Sequence, residues 1–338
     1  MGSDNVLVIA EVGQAHDGSL GILHSYIDAI ASTGVNAIKF QTHIAEAESS
    51  REEPFRVNFS YEDNSRFDYW KRMSFSLNDW KGIKKHCDDV GLEFISSPFS
   101  VAAVNLLEEI GVSRYKIGSG EITNKLMLDA ICRTGKQIIL SSGMSDFSEL
   151  DDTIEFLKSR GSCFSILQCT TMYPTSPKHI GLNVIDELKN RYNVAVGLSD
   201  HSGTVFPSLA AVARGAQILE VHVVFDKMMF GPDSTSSLTI NELSFLCKGV
   251  CDIKTMLDNP IDKNITSVDS NLKVIFGKSL SVCREMKAGQ TLNISDLESK
   301  KPGNMGIPAS DYKSVVGKTL SRDIPCWSFL TMDDLIDE

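Results

Sequence analysis

The chain has 338 residues, 42% of them apolar, with 44 acidic against 33 basic side chains and a formal net charge of −11 at pH 7. That length predicts one large domain plus a smaller one, and the apolar fraction with a mean hydropathy of −0.06 excludes disorder as the dominant state. The acidic balance argues against nucleic-acid binding, which depends on clustered Lys and Arg, and no apolar run approaches the roughly 20 residues that cross a bilayer. The opening Met1-Gly2-Ser3-Asp4-Asn5 lacks the basic start and apolar stretch of an export signal, so a cytoplasmic location is expected. The eight cysteines include no Cys-x-x-Cys pair, which removes the zinc-ribbon and thioredoxin readings and leaves free thiols as the expectation.

In chain order, β-branched runs alternate with helical patterns. Val6–Ala10 predicts a buried strand ending in Glu11. Leu20, Leu23, Ile27 and Ile30 follow at helical spacing, Gly34 closes that helix, and Asn36–Phe40 predicts a second strand. A polar segment, residues 45–72, is too long for an ordinary connection and reads as a lid or binding loop. Further strands are expected at Glu93–Ser96, Arg114–Ile117, Gln137–Leu140, Phe164–Gln168, Val194–Leu198 and Gln217–His222. Helices separate them, one running from Pro207 to Gly215, with proline first and glycine last.

Eight strand–helix units predict a (β/α)8 TIM barrel over residues 1–258. A doubly wound parallel sheet is the alternative, but the turn after the first strand, Gly13-Gln14-Ala15-His16-Asp17-Gly18, does not match GxGxxG. Residues 259–277 read as a polar linker. Residues 278–338 read as a small mixed domain, of a size at which independent stability is marginal and docking is expected.

In such a barrel the chemistry lies at the carboxyl ends of the strands. Those ends carry Glu11, Lys39 and Gln41, Ser96 and Ser97, Lys116 and Ser119, Ser141 and Ser142, Gln168 and Thr170, Ser199 and His201, and Glu220 and His222. The serines by themselves do no more than mark where strands leave the core. Lys39, between Ile38 and Phe40, and Lys116, between Tyr115 and Ile117, are different, because a lysine is almost never buried without an anion. Two of them beside hydroxyls describe a site for a phosphate or carboxylate. A surface lysine snorkelling off an edge strand is the alternative, and a closed barrel removes it.

His201 and His222 end neighbouring strands, about 5 Å apart, and can converge on one ion. Glu220 shares the face of His222, and Glu11 is expected to approach across the closed barrel. Imidazoles with carboxylate and water oxygens suit a divalent transition ion such as manganese better than calcium.

With these residues the chain resembles the sialic acid synthase family, which condenses phosphoenolpyruvate with N-acylmannosamine-type sugars. The resemblance rests on Ile9-Ala10-Glu11-Val12-Gly13, Ile38-Lys39-Phe40-Gln41-Thr42, Tyr115-Lys116-Ile117-Gly118-Ser119-Gly120-Glu121, Leu140-Ser141-Ser142-Gly143-Met144, Tyr173-Pro174-Thr175, Gly197-Leu198-Ser199-Asp200-His201 and Gly231-Pro232-Asp233. Lys301-Pro302-Gly303-Asn304 and Val316-Gly317-Lys318 are similar to the family's antifreeze-like (SAF) domain.

The resemblance implies a TIM barrel followed by a SAF domain of β-clip fold. It implies a nonulosonic acid synthase giving a nine-carbon 2-keto acid plus phosphate, with C–O cleavage of phosphoenolpyruvate. It gives His201 and His222 an Mn2+ ion, or another divalent ion such as Mg2+ or Co2+. Phosphoenolpyruvate falls to Lys39, Ser97, Lys116, Ser119, Ser141 and Ser199, and Glu11 stands beside the reacting carbons and metal-bound water. The sugar falls to Gln41, Glu121, Tyr173 and Asp233. A homodimer is implied in which the small domain crosses to the partner's barrel, bringing Lys301 where the family carries arginine.

Thr171 and Val221 also depart from the family pattern, as does the Gln14–Gly18 turn. N-acetylmannosamine is the first expectation for the sugar, and a legionaminic- or pseudaminic-type synthase the alternative. A divalent-metal barrel hydrolase or isomerase acting on a phosphosugar is the rival enzyme class. A non-catalytic carbohydrate-binding protein comes last, because it leaves the buried lysines without a purpose.

Overall fold

Eight parallel strands close on themselves: β1 (Leu7–Glu11), β2 (Ala37–Thr42), β3 (Glu93–Pro98), β4 (Arg114–Ile117), β5 (Gln137–Ser141), β6 (Phe164–Cys169), β7 (Val196–Asp200) and β8 (Ile218–Val224). β1 pairs with both β2 and β8, so the sheet is a barrel, as the alternation predicts. A two-residue strand, β9 (Leu238–Thr239), adds to the end of β8. The computed structural model describes residues 6–57, 59, 61–264 and 270–336. The opening residues read for an export signal and the middle of the expected linker lie outside the described residues.

The helices begin where side chains can cap them. Ser19, Ser100, Asn124 and Asp146 each accept the backbone N–H of the residue three positions on. Their apolar faces cover the outside of the barrel in one continuous core that includes Leu23, Ile27, Trp80, Leu107 and Leu128.

The barrel interior carries a second, separate apolar layer of Ile9, Ala37, Ile95, Ile139, Leu167 and Ile218. Side chains on a strand alternate faces, so the residue two positions on points inward again, one layer higher. Those residues are Glu11, Lys39, Ser97, Ser141, Cys169 and Glu220, all buried. The pattern that looked like lysine inside an apolar run is therefore a polar floor resting on an apolar plug.

Several strands outrun their apolar signatures. β2 reaches Thr42, β3 reaches Pro98 and β7 reaches Asp200, because the ladder is made by backbone groups and keeps its register after the side chains turn polar. The insertion after β2 is also more ordered than a loop. It holds helices Ala45–Glu48 and Arg66–Met73, and Ala45, Tyr69, Trp70 and Met73 pack with Phe55, Phe59 and Phe67 as a small core of its own.

The chain divides into two compact units, Met1–Asn259 and Pro260–Glu338. Within the second, a helix spans Ser270–Phe276, in the stretch expected as linker; Leu272, Ile275 and Phe276 give it the helical spacing that was overlooked. Two antiparallel pairs follow, β10 (Ser279–Val282) with β11 (Leu297–Lys300) and β12 (Thr319–Leu320) with β13 (Leu335–Ile336). They enclose Leu280, Val282, Met286, Leu292, Leu320, Ile324 and Leu330.

The second unit uses one device twice. Asn293 with Asp296, and Thr331 with Asp334, form reciprocal capping boxes, and Arg284 and Arg322 each bind the aspartate twelve residues on. All eight cysteines are free thiols. Among the described residues no helix is long and apolar enough to cross a membrane.

Candidate active site

The carboxyl ends of the strands open into a cavity of about 490 Å3 in the first unit. Glu11, Lys39, Gln41, Ser97, Lys116, Ser119, Glu121, Ser141, Tyr173, Ser199, His201, His222 and Asp233 all line it. Glu220 lines it as well, whereas Ser96, Ser142, Gln168 and Thr170 do not. Ser96 turns outward to Thr42 and the Phe40 carbonyl, Ser142 binds Gln168, and the Thr170 hydroxyl donates to the His179 carbonyl, so these three close local structure. Lys301 belongs to the second unit, where it is exposed and its ammonium lies 4.9 Å from the Phe276 ring centre.

At the floor, positive and negative groups alternate. Lys39 Nζ is 2.6 Å from Glu11 Oε2 and 3.8 Å from Glu220 Oε2, while Lys116 Nζ is 3.0 Å from Glu220 Oε1. All four side chains are no more than 4% exposed. In this structure the anion beside each buried lysine is a carboxylate of the protein itself, Glu11 and Glu220 for Lys39 and Glu220 for Lys116. Burial would depress the Lys39 ammonium, but the Glu11 and Glu220 carboxylates outweigh it and hold the group above the ordinary lysine range. Burial would likewise raise Glu220, yet Lys116 and Lys39 prevail and keep it ionised well below the usual carboxylate value.

Hydroxyls and amides surround this floor. Lys39 donates to Ser97 Oγ at 3.2 Å and Ser199 Oγ donates to Glu220 Oε1 at 3.0 Å. Gln41 Nε2 donates to Glu11 Oε1 at 2.7 Å, and Gln14 in turn donates to Gln41. Among the described residues, Ser141 Oγ is buried with no hydrogen-bond partner. A buried hydroxyl left unpaired costs free energy on the order of 1–3 kcal/mol, and this one sits in the wall of the chamber. A Cβ on Gly143 would run into the hydroxyls of Ser119 and Thr171 and the Cys169 thiol, so only glycine leaves that side of the floor open.

His201 and His222 stand with ring centres 5.4 Å apart, close enough for one nitrogen of each to reach a common ion. His201 Nδ1 lies 3.0 Å from the Thr170 carbonyl, which can accept only from an N–H. That contact makes Nδ1 the donor and leaves Nε2 facing the chamber, 3.3 Å from the Tyr173 hydroxyl. Burial pushes His222 below its ordinary imidazole value, towards the neutral form that ligates metals. Glu220 does not join the imidazoles as expected, because its oxygens are taken by Lys116, Lys39 and Ser199. Among the described residues no group of three or more His, Cys, Asp and Glu forms a ready-made metal cluster. Two imidazoles with open positions beside them still suit an ion that water and substrate complete.

The outer half of the chamber was not legible in the strand pattern. The insertion supplies Glu48, Glu53, Arg56, Arg66, Tyr69 and Trp70 to its wall. His43 is stacked between Trp70 at 3.7 Å and Phe99 at 4.4 Å and bonds Glu48 at 2.6 Å. Glu121 also lines this part, and burial raises its carboxyl above the ordinary value. Glu121 was named by the family resemblance; for the residues of the insertion the signal was its aromatic and charged composition, which has no period from which to place a side chain.

The chain is similar to known proteins along nearly its whole length. The model described as the NeuB family matches residues 26–262, and the model described as the SAF domain matches residues 277–336. The N,N'-diacetyllegionaminic acid synthase of Campylobacter jejuni is 33% identical over 323 residues, covering 94% of this chain and 96% of the relative. The human N-acetylneuraminate-9-phosphate synthase is 29% identical over 321 residues, covering 94% of this chain and 89% of its own. The solved structure of N-acetylneuraminic acid synthetase from Leptospira borgpetersenii superposes with a TM-score of 0.70 at 30% identity, covering 80% of this chain and 90% of that one.

Proposed function

The chain is an enzyme of the NeuB family with a carboxyl-terminal SAF domain, and on that premise we propose that it condenses phosphoenolpyruvate with an acylamino sugar and water. The products are a nine-carbon 2-keto acid and phosphate. The observation that carries this reading is the meeting of Lys39, Lys116, His201 and His222 in one chamber large enough for two reactants.

Lys39 and Lys116 hold the anionic reactant, which exchanges with the carboxylates that now neutralise them. Ser141 Oγ, spare and buried, donates to the same reactant, with Ser97, Ser119 and Ser199 beside it. Gln41, Glu121, Tyr173 and Asp233 hold the open-chain sugar, with its aldehyde towards the imidazoles. His201 and His222 would hold a divalent ion, Mn2+ or another such as Mg2+ or Co2+, which would supply Lewis acidity towards the aldehyde oxygen.

Carbon 3 of phosphoenolpyruvate forms the new bond to the aldehyde carbon, and positive charge develops at carbon 2. Water adds at carbon 2 and yields a proton to the Glu11 carboxylate, which Gln41 holds in place. The adduct then expels phosphate by breaking the C–O bond as its carbon 2 hydroxyl gives up its proton and becomes the keto group, and the proton taken by Glu11 passes to the former aldehyde oxygen. Fixing both reactants in one pocket removes much of the entropic barrier. Lys301 reaches the sugar from the second unit of a partner subunit in a homodimer, in the cytoplasm.

The sugar is N-acetylmannosamine or a diacylated deoxy relative, and similarity to the Campylobacter jejuni legionaminic acid synthase supports the latter. Incubation with manganese, phosphoenolpyruvate and each sugar in turn tests the reading. Phosphate should appear only when both reactants are present. Release from a phosphosugar alone would instead make the chain a barrel hydrolase.

A further inference from the structure

Arg56, in the irregular stretch of the insertion, crosses to the opposite wall of the chamber. Its Nη2 donates to Asp233 Oδ1 at 2.6 Å and to the Pro232 carbonyl at 3.3 Å, and its guanidinium carbon stands 4.1 Å from the Tyr173 ring centre. One cation thus engages both Asp233 and Tyr173.

The insertion is built to hold it there. Arg66 lies 4.2 Å from the Trp70 ring centre, and Trp70 Nε1 donates to Glu53 at 3.1 Å. Phe59 and Tyr61 pack at 5.5 and 5.9 Å on Phe230, which is two residues before Pro232 and three before Asp233. The Arg56 side chain is 38% exposed, and an exposed ion pair contributes at most about 1 kcal/mol to folding. Its geometry therefore bears on the cavity more than on stability. A planar guanidinium can stack on a ring while donating within its own plane; a lysine ammonium cannot do both.

We propose that Arg56 is a specificity-determining positioning residue for the sugar: by holding the Asp233 carboxylate and covering Tyr173, it fixes the direction from which sugar hydroxyls are read. This rests on the synthase reading above. It predicts a defect confined to one of the two reactants, because phosphoenolpyruvate is held at the floor, by groups Arg56 does not touch.

The test is steady-state kinetics of Arg56→Ala and Arg56→Lys with manganese, varying phosphoenolpyruvate and N-acetylmannosamine or its diacetamido deoxy relative separately. In Arg56→Ala the KM for the sugar should rise about tenfold, while that for phosphoenolpyruvate stays within about twofold. Arg56→Lys should recover only part of the loss, and adding Arg56→Ala to Asp233→Asn should cost less than the two single effects combined. A melting temperature within about 2 °C of the parent would show an intact fold. An unchanged sugar KM, or equal rises for both reactants, overturns the proposal while leaving the synthase reading standing. No phosphate release by the parent protein with either sugar overturns both.

Discussion

Lys116 and Glu220, 3.0 Å apart beneath the chamber, show why the floor exists for chemistry more than for stability. A buried ion pair roughly repays its own desolvation, whereas removing one partner leaves an uncompensated charge. Lys116→Met should therefore lower unfolding free energy by about 3 kcal/mol, read as a fall in the urea midpoint, and abolish turnover. Lys116→Met combined with Glu220→Leu should regain most of the stability and none of the activity. Retained turnover in the double variant would show that this pair is structural. The imidazoles call for a different readout. His201→Ala or His222→Ala should lose manganese binding in equilibrium dialysis and lose turnover together, with circular dichroism unchanged. Binding equal to that of the parent would refute the metal assignment.

What could be read of this site in the sequence follows from the strand period. Lys39 and Lys116 stood out because an ammonium had replaced an apolar side chain at an inward position, and His201 and His222 because they end adjacent strands. The role of Glu220 was hidden, since its partners come from β2 and β4, and only closure of the barrel decides which side chains meet across it. Arg56 was hidden for another reason. Irregular backbone carries no period, so nothing local says which way such a residue points.

Among elements, the helices and barrel strands were legible because caps, apolar faces and alternation agree with one another. Their ends were less so: β2, β3 and β7 continue where only backbone pairing sustains them. Short pieces fared worst. Helix Ser270–Phe276 spans seven residues with Leu272, Val274, Ile275 and Phe276 as its apolar positions, about two turns and too short a period to separate from the polar stretch before it.

The repeated capping boxes of the second unit make a prediction at this scale. Burial would raise the Asp334 carboxyl, but the Thr331 N–H at 2.8 Å and the Arg322 guanidinium outweigh it and hold the group below the ordinary value. A carboxylate whose value is lowered by folding stabilises above its unfolded value and loses that contribution as pH falls through the folded one. Protection of the Thr331 amide, measured against its intrinsic exchange rate, should thus be high near neutral pH and fall below about pH 4. Asp334→Asn should be less protected at neutral pH and show a flatter pH dependence. Identical profiles for the two proteins would mean that the box, not the charge, protects this amide.

At the scale of the molecule, a stable barrel carries a smaller unit whose own core is only a handful of aliphatic side chains, stiffened by two arginine–aspartate caps. The barrel sets Lys39 and Lys116 on strands, while the insertion after β2, free of the ladder, supplies Glu48, Glu53, Arg56, Arg66, Tyr69 and Trp70 to the wall. On the reading proposed above, both lysines assigned to the anionic reactant belong to the sheet, whereas the groups assigned to the sugar, Gln41 apart, lie beyond the strands. The most direct measurement is diffraction from crystals of the full chain soaked with manganese and phosphoenolpyruvate. The account predicts anomalous density between His201 and His222 and the phosphate-bearing ligand over Lys39 and Lys116 in the same chamber. Manganese bound elsewhere, or a ligand that leaves both lysines untouched, would contradict it.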